Sequence, residues 1–62
     1  MKELKDKCIE LRTFLGLSQT SFAIMIHTNQ TEVSFIERGF IPKKKQVDLI
    51  NLFYDNIFKG EK

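Results

Sequence analysis

The sequence predicts an all-α fold, a compact bundle of four to five short helices. Apolar residues recur at intervals of three and four, which is the spacing of one helix face, and no segment alternates as a half-buried strand would. The chain has 62 residues, of which 42% are apolar, enough for one small core. We therefore expect a single domain over residues 1–62, with an ordered core at about residues 4–58.

The first helix is predicted over Lys2–Leu15. Its apolar stripe consists of Leu4, Cys8, Leu11 and Leu15. Gly16 suits the left-handed position that ends a helix, and Ser18 suits the N-cap of the next helix.

The second and third helices are predicted as a pair joined by a tight polar turn. The second covers Gln19–Ile26. The third begins after an Asn29 cap, carries Glu32 where a capping box needs it, and stops at Gly39. Their inward residues are expected to be Phe22, Ala23, Ile26, Val33 and Ile36. Such a pair can place its second helix in the major groove of DNA.

The fourth helix is predicted over Lys43–Tyr54, directly after Pro42. Its inner stripe is expected to consist of Leu49, Ile50, Phe53 and Ile57. The residues Asp55–Phe58 add either a final turn or a short fifth helix.

Composition narrows the classes of function. Cys8 is the single cysteine, which excludes an internal disulfide and a cysteine-cluster zinc site and fits a reducing cytoplasm. No apolar run approaches the roughly 18 residues of a membrane span, so we expect no membrane partner. Because the sequence shows no paired carboxylates, no nucleophile–base set and no metal cluster, we expect no enzyme, no cofactor and no metal.

The net charge of +2 does not by itself indicate a nucleic-acid partner, but the charge distribution is more informative. The segment from His27 to Lys45 carries four cations against Glu32 and Glu37. These cations are Arg38, Lys43, Lys44 and Lys45.

Two strings, LGLSQ at Leu15–Gln19 and IERG at Ile36–Gly39, are together quite specific. The pattern is completed by Leu11-Arg12, Phe22-Ala23, Val33-Ser34 and Pro42. It resembles the Cro/Xre family, the lambda-repressor-like helix-turn-helix DNA-binding domains of phage and bacterial regulators. The resemblance covers about Leu4–Tyr54. It implies a sequence-specific transcriptional regulator whose third helix enters the major groove of an operator and blocks or modulates transcription.

The third helix offers four residues for reading bases: Gln30, Thr31, Ser34 and Phe35. A glutamine can make two hydrogen bonds to adenine, and a threonine offers a hydroxyl together with a methyl group for thymine. Phe35 either packs on thymine methyls or is partly buried against neighbouring loops.

The resemblance places Gln19 against the DNA backbone, where the helix N-terminus adds partial positive charge. Further phosphate contacts are expected from Asn29, Arg38, Lys43, Lys44 and Lys45, although a lysine run alone is as often a solvated helix start. The resemblance also implies a structural ion pair between Arg12 and Glu37 beneath the third helix.

Four residues depart from the family pattern. Phe35 lies on the third helix where relatives commonly carry a polar or basic residue. His27 occupies a turn position that is usually glycine, so it must either adopt a left-handed conformation or change the turn. Ile24 and Met25 lie where relatives carry polar residues. They are expected either to pack against loops or to bind a protein partner such as an antirepressor.

The expected partners are double-stranded DNA and a second copy of the chain. A homodimer, weak or induced by DNA, would use the end of the fourth helix, Phe58 and the Phe40–Ile41 loop. The alternative is a helical protein-interaction module, such as an antitoxin or a regulator subunit, whose DNA binding is lost or secondary.

Overall fold

A computed structural model describes residues 2–59 of the chain. Its helices are α1 (Leu4–Leu15), α2 (Gln19–Met25), α3 (Gln30–Glu37) and α4 (Lys44–Phe58). No strand occurs in this part of the chain. The prediction of an all-α bundle is therefore confirmed. None of the helices among residues 2–59 is long and apolar enough to cross a membrane.

The first three helices end in the same hydrogen-bonded turn. In each, a residue with positive φ follows the helix: Gly16 at 70°, His27 at 63° and Gly39 at 113°. The next N–H then bonds to the carbonyl five residues earlier, at 3.0 Å from Leu17, 2.8 Å from Thr28 and 3.0 Å from Phe40. This is the Schellman arrangement, which satisfies carbonyl groups that a helix end leaves without partners.

His27 adopts the left-handed conformation that glycine usually supplies. It is the only non-glycine residue with positive φ among residues 2–59. Its N–H still reaches the carbonyl of Ile24 at 3.2 Å, so the turn keeps its hydrogen bonds and His27 carries the conformational cost.

Both predicted N-caps are formed. The Ser18 hydroxyl accepts from the N–H of Ser21 at 3.1 Å, and the Asn29 side-chain oxygen accepts from the N–H of Glu32 at 2.9 Å. The predicted capping box is wrong in its second bond, which would run from the N-cap N–H to the Glu32 carboxylate. This carboxylate accepts from the Thr28 hydroxyl instead.

Helices α1 and α4 run side by side in the same direction. Three contacts with one sequence offset join them: Lys7 with Asn51, Glu10 with Tyr54, and Phe14 with Phe58. The side chains of α4 that become buried against the rest of the fold are Gln46, Ile50 and Tyr54, spaced four apart.

The structure corrects several predicted boundaries. Helix α1 begins at Leu4 because Glu3 is an extended N-cap, and α2 ends at Met25 with Ile26 as its C-cap. Helix α4 begins at Lys44 and continues without a break to Phe58, so there is no separate fifth helix among the described residues.

The predicted apolar stripes also need correction. Leu15 is 37% exposed, because it lies in the last turn of α1, beyond the buried Cys8 and Leu11. In α4 the predicted stripe lies one residue off the centre of the buried face. Ile50 is buried, whereas Leu49, Phe53 and Ile57 are only partly buried against the core.

Candidate nucleic-acid interface

The outer face of α3 carries the predicted base-reading residues. Val33 and Ile36 are fully buried, and at about 100° per residue Thr31 and Arg38 project most directly away from them. Gln30 and Ser34 lie on one flank of that outer face, and Phe35 lies on the other. Thr31 and Gln30 are exposed, Ser34 is half-buried and Phe35 is 46% exposed. The first turn of α3 therefore presents short polar side chains to solvent.

Gln19 and Gln30 are joined by a side-chain hydrogen bond. The Gln30 amide nitrogen donates to the Gln19 side-chain oxygen at 2.7 Å. Since each glutamine is the first residue of its helix, this bond ties the start of α2 to the start of α3. The predicted phosphate contact and the predicted adenine reader are thus direct neighbours.

The expected ion pair between Arg12 and Glu37 is present and bidentate. The Arg12 Nε donates to Oε2 of Glu37 at 2.7 Å, and Nη2 donates to Oε1 at 3.2 Å. The remaining guanidinium nitrogen, Nη1, donates to the carbonyl of Leu17 at 3.0 Å, just after α1. The side chains are 24% and 11% exposed, respectively. The pair therefore links α1, the segment before α2 and the end of α3.

Glu37 also holds Gln19. The Gln19 amide nitrogen donates to Oε1 of Glu37 at 3.1 Å. The result is a continuous series of hydrogen bonds from Arg12 through Glu37 and Gln19 to Gln30, running from the partly buried interior to the exposed first turn of α3.

The hydrogen bonds on Glu37 decide its protonation. Burial alone would raise the pKa of this carboxyl, but the bonds donated by Arg12 and Gln19 outweigh burial and hold the pKa below its ordinary value. The same contact raises the pKa of Arg12. Both groups are therefore charged at neutral pH.

The remaining residues that were predicted to contact phosphate differ in whether their side chains already contact another group of the protein. Asn29 uses its side-chain oxygen as the α3 cap, which leaves its amide nitrogen for another acceptor. Lys44 pairs with Asp48 at 2.9 Å, while Lys43 and Lys45 are exposed beside it. Arg38 lies over the ring of Phe35, 5.9 Å from the ring centre.

Phe35 packs against Phe40, with ring centres 6.4 Å apart in an edge-to-face arrangement. Phe40 is the residue whose N–H closes the turn after α3 onto the Phe35 carbonyl, so the rings form the apolar contact that often accompanies this turn. This packing accounts for part of the Phe35 surface and leaves 46% of the side chain exposed.

The structure separates Ile24 from Met25. Ile24 is 73% exposed, whereas Met25 is partly buried and packs against the core. Of the two alternatives expected for these residues, Met25 therefore follows packing against its neighbours, whereas Ile24 remains exposed. Of the predicted dimer surface, Phe40 and Ile41 are exposed, whereas Phe58 packs against Phe14 and Tyr54.

Two contributors to this site were missed by sequence reasoning. One is the bond from Gln19 to Glu37, which has no local signal because the residues lie far apart in the chain. The other is the buried Gln46, whose amide donates to the carbonyls of Ile26 and His27 at 3.3 and 3.2 Å. Gln46 lies four residues before Ile50 and eight before Tyr54, and this helical spacing is the sequence signal that could have placed it on the buried face of α4.

Within residues 2–59 no three His, Cys, Asp or Glu side chains are grouped so as to hold a metal ion. Comparisons with protein-family models, with curated proteins and with solved structures find no match to this chain.

Proposed function

We propose that this protein is a sequence-specific DNA-binding transcriptional regulator of the cytoplasm that inserts α3 into the major groove. The observation that carries the proposal is the Gln19–Gln30 pair at the start of α2 and α3, beside the exposed Thr31. Gln30 and Thr31 would read base edges, with Ser34 and Phe35 further along the helix. Gln19 would hold a phosphate.

A cationic border supports the same function. Arg38, Lys43 and Lys45 are exposed around the C-terminal end of α3 and the start of α4, where cations can hold a DNA backbone. A single small module makes few base contacts, so we expect two copies on a near-palindromic site with half-sites one helical turn apart. The exposed Phe40 and Ile41 are the proposed contact between the copies.

The decisive experiment selects binding sites from random duplex DNA at low salt. We expect one enriched, near-palindromic sequence. Gln30→Ala and Thr31→Ala should each reduce affinity for that sequence and leave non-specific binding unchanged. Asn56→Ala, which removes an exposed amide from α4, is the matched control and should bind like the unaltered protein.

The phosphate contacts are tested by the salt dependence of binding. Lys43→Gln and Arg38→Gln should weaken binding to all sequences alike and reduce the slope of log affinity against log salt by about one each. Unchanged slopes would remove these residues from the proposed interface.

The alternative function is a helical protein-interaction module. It is favoured by exposed apolar side chains outside the α3 face, among them Phe14 at 64% and Ile24 at 73%. If the folded protein enriches no sequence from the random duplexes, the DNA proposal fails and this alternative replaces it.

A further inference from the structure

We propose that Glu37 is a positioning residue for base reading. Its carboxylate fixes the direction of the two glutamine amides outside it, so that Gln30 faces the DNA as an adenine reader. This inference rests on the proposed DNA-binding function and assigns a second role to a residue of the structural ion pair.

The first step follows from the chemistry of the carboxylate. An ionised carboxylate can only accept hydrogen bonds, and here it accepts two from Arg12. Gln19 must therefore turn its amide nitrogen toward Glu37, which it does at 3.1 Å. Its side-chain oxygen then points the other way, toward Gln30.

The second step repeats the constraint one residue further out. Since the Gln19 oxygen is an acceptor, Gln30 turns its own amide nitrogen inward, at 2.7 Å. Its oxygen and its second N–H remain for a ligand. Adenine presents an amino donor and the N7 acceptor in the major groove, which complements this set, whereas guanine presents two acceptors and repels the oxygen.

Burial separates the positioning residue from the reader. The Glu37 side chain is 11% exposed and lies two hydrogen bonds behind Gln30, whereas Gln30 itself is exposed. Glu37 therefore acts on base choice through Gln19 and not by touching the base. A neutral amide of the same shape can place either its oxygen or its nitrogen beside Gln19, so the direction of both outer amides is no longer fixed.

The test compares affinities for the selected site and for the same site with guanine in place of the adenine read by Gln30. The unaltered protein should prefer adenine by roughly 5-fold to 150-fold, the range of one two-bond contact. Glu37→Gln should lose most of that preference. Arg12→Lys, which perturbs the same ion pair but keeps the carboxylate as an acceptor, should retain it.

The outcomes are distinguishable. If Glu37→Gln keeps the full adenine preference, or if Arg12→Lys loses it to the same extent, the positioning role is overturned. Gln19→Ala interrupts the series but leaves both Arg12–Glu37 hydrogen bonds in place, so it decides the question if Glu37→Gln does not fold. Loss of the preference supports positioning through Gln19, and its retention overturns the role. If the unaltered protein selects no sequence, the proposed function itself fails.

Discussion

The side-chain amide of Gln46 in α4 donates to the carbonyl of His27 at 3.2 Å, at the end of α2. A second bond from the same nitrogen reaches Ile26 at 3.3 Å, and the Gln46 side chain is buried. Carbonyls at a helix end lack helical partners, so this amide caps α2 from another helix. The turn that leads into α3 is thereby fixed to α4.

Gln46→Leu should destabilise the fold by about 1–3 kcal/mol, because it removes the donor to the buried Ile26 carbonyl and to the partly buried His27 carbonyl. For a domain of this size, each kcal/mol lowers the melting temperature by roughly 4–8 °C. The measurement is thermal unfolding followed by circular dichroism. Lys45→Leu introduces the same residue at the neighbouring exposed position and should change stability by less than about 0.5 kcal/mol.

Local patterns predicted much of this fold because they depend on neighbouring residues. The caps at Ser18 and Asn29 and the left-handed Gly16 follow from chemistry within one turn of the chain. The contributions of Gln46 and of the Gln19–Glu37 bond could not be found in this way. The spacing of Gln46 from Ile50 indicates its buried face, but the carbonyls that it caps, like the bond between Gln19 and Glu37, depend on how helices pack against one another.

The predicted site illustrates the same division. Gln30 and Thr31 could be placed on an exposed face because Val33 and Ile36 define the buried one. The link between Gln30 and Gln19 required the relative placement of α2 and α3. The sequence left open whether Met25 packs inward or remains exposed, because neighbouring elements decide this for an apolar residue at the edge of a helix face.

His27→Gly should stabilise the protein by about 0.5–1 kcal/mol. Glycine removes the cost of a left-handed conformation, which is roughly 1–2 kcal/mol. It also increases the entropy of the unfolded chain, which offsets part of this stabilisation. Urea unfolding measures the difference through the midpoint at constant slope. His27→Val should lower the urea midpoint, since a β-branched residue tolerates positive φ poorly. A lower midpoint for His27→Gly would contradict this account of the turn.

The Arg12–Glu37 pair makes stability depend on pH in acid. Because the folded-state pKa of Glu37 lies below its ordinary value near 4.5, its stabilising contribution is complete above that value. The contribution is lost as the pH falls through the lowered pKa. At pH 7, Glu37→Gln should be less stable by about 1–3 kcal/mol.

The two proteins should be compared by urea unfolding from pH 7 down to pH 2. The other carboxyl groups titrate in both proteins, so the difference between them isolates Glu37. We expect that difference to shrink as the pH falls. A difference that is constant over this range would show that the ionised carboxylate contributes nothing that the amide lacks.

Cys8 should be unreactive in the folded protein. It is fully buried, and its thiol donates to Oε2 of Glu37 at 3.9 Å. Burial and the nearby Glu37 carboxylate raise the pKa of this thiol to about 12, against an opposing effect of Arg12, so almost no reactive thiolate exists at pH 8. A thiol-specific reagent should therefore react at least about 100-fold more slowly with the native protein than with the chain in urea, because modification requires unfolding.

Glu37→Gln removes the nearby negative charge but also destabilises the fold, so unfolding-limited modification should become faster in that variant. Equal rates for native and urea-unfolded protein would mean that α1 does not bury Cys8 against the core.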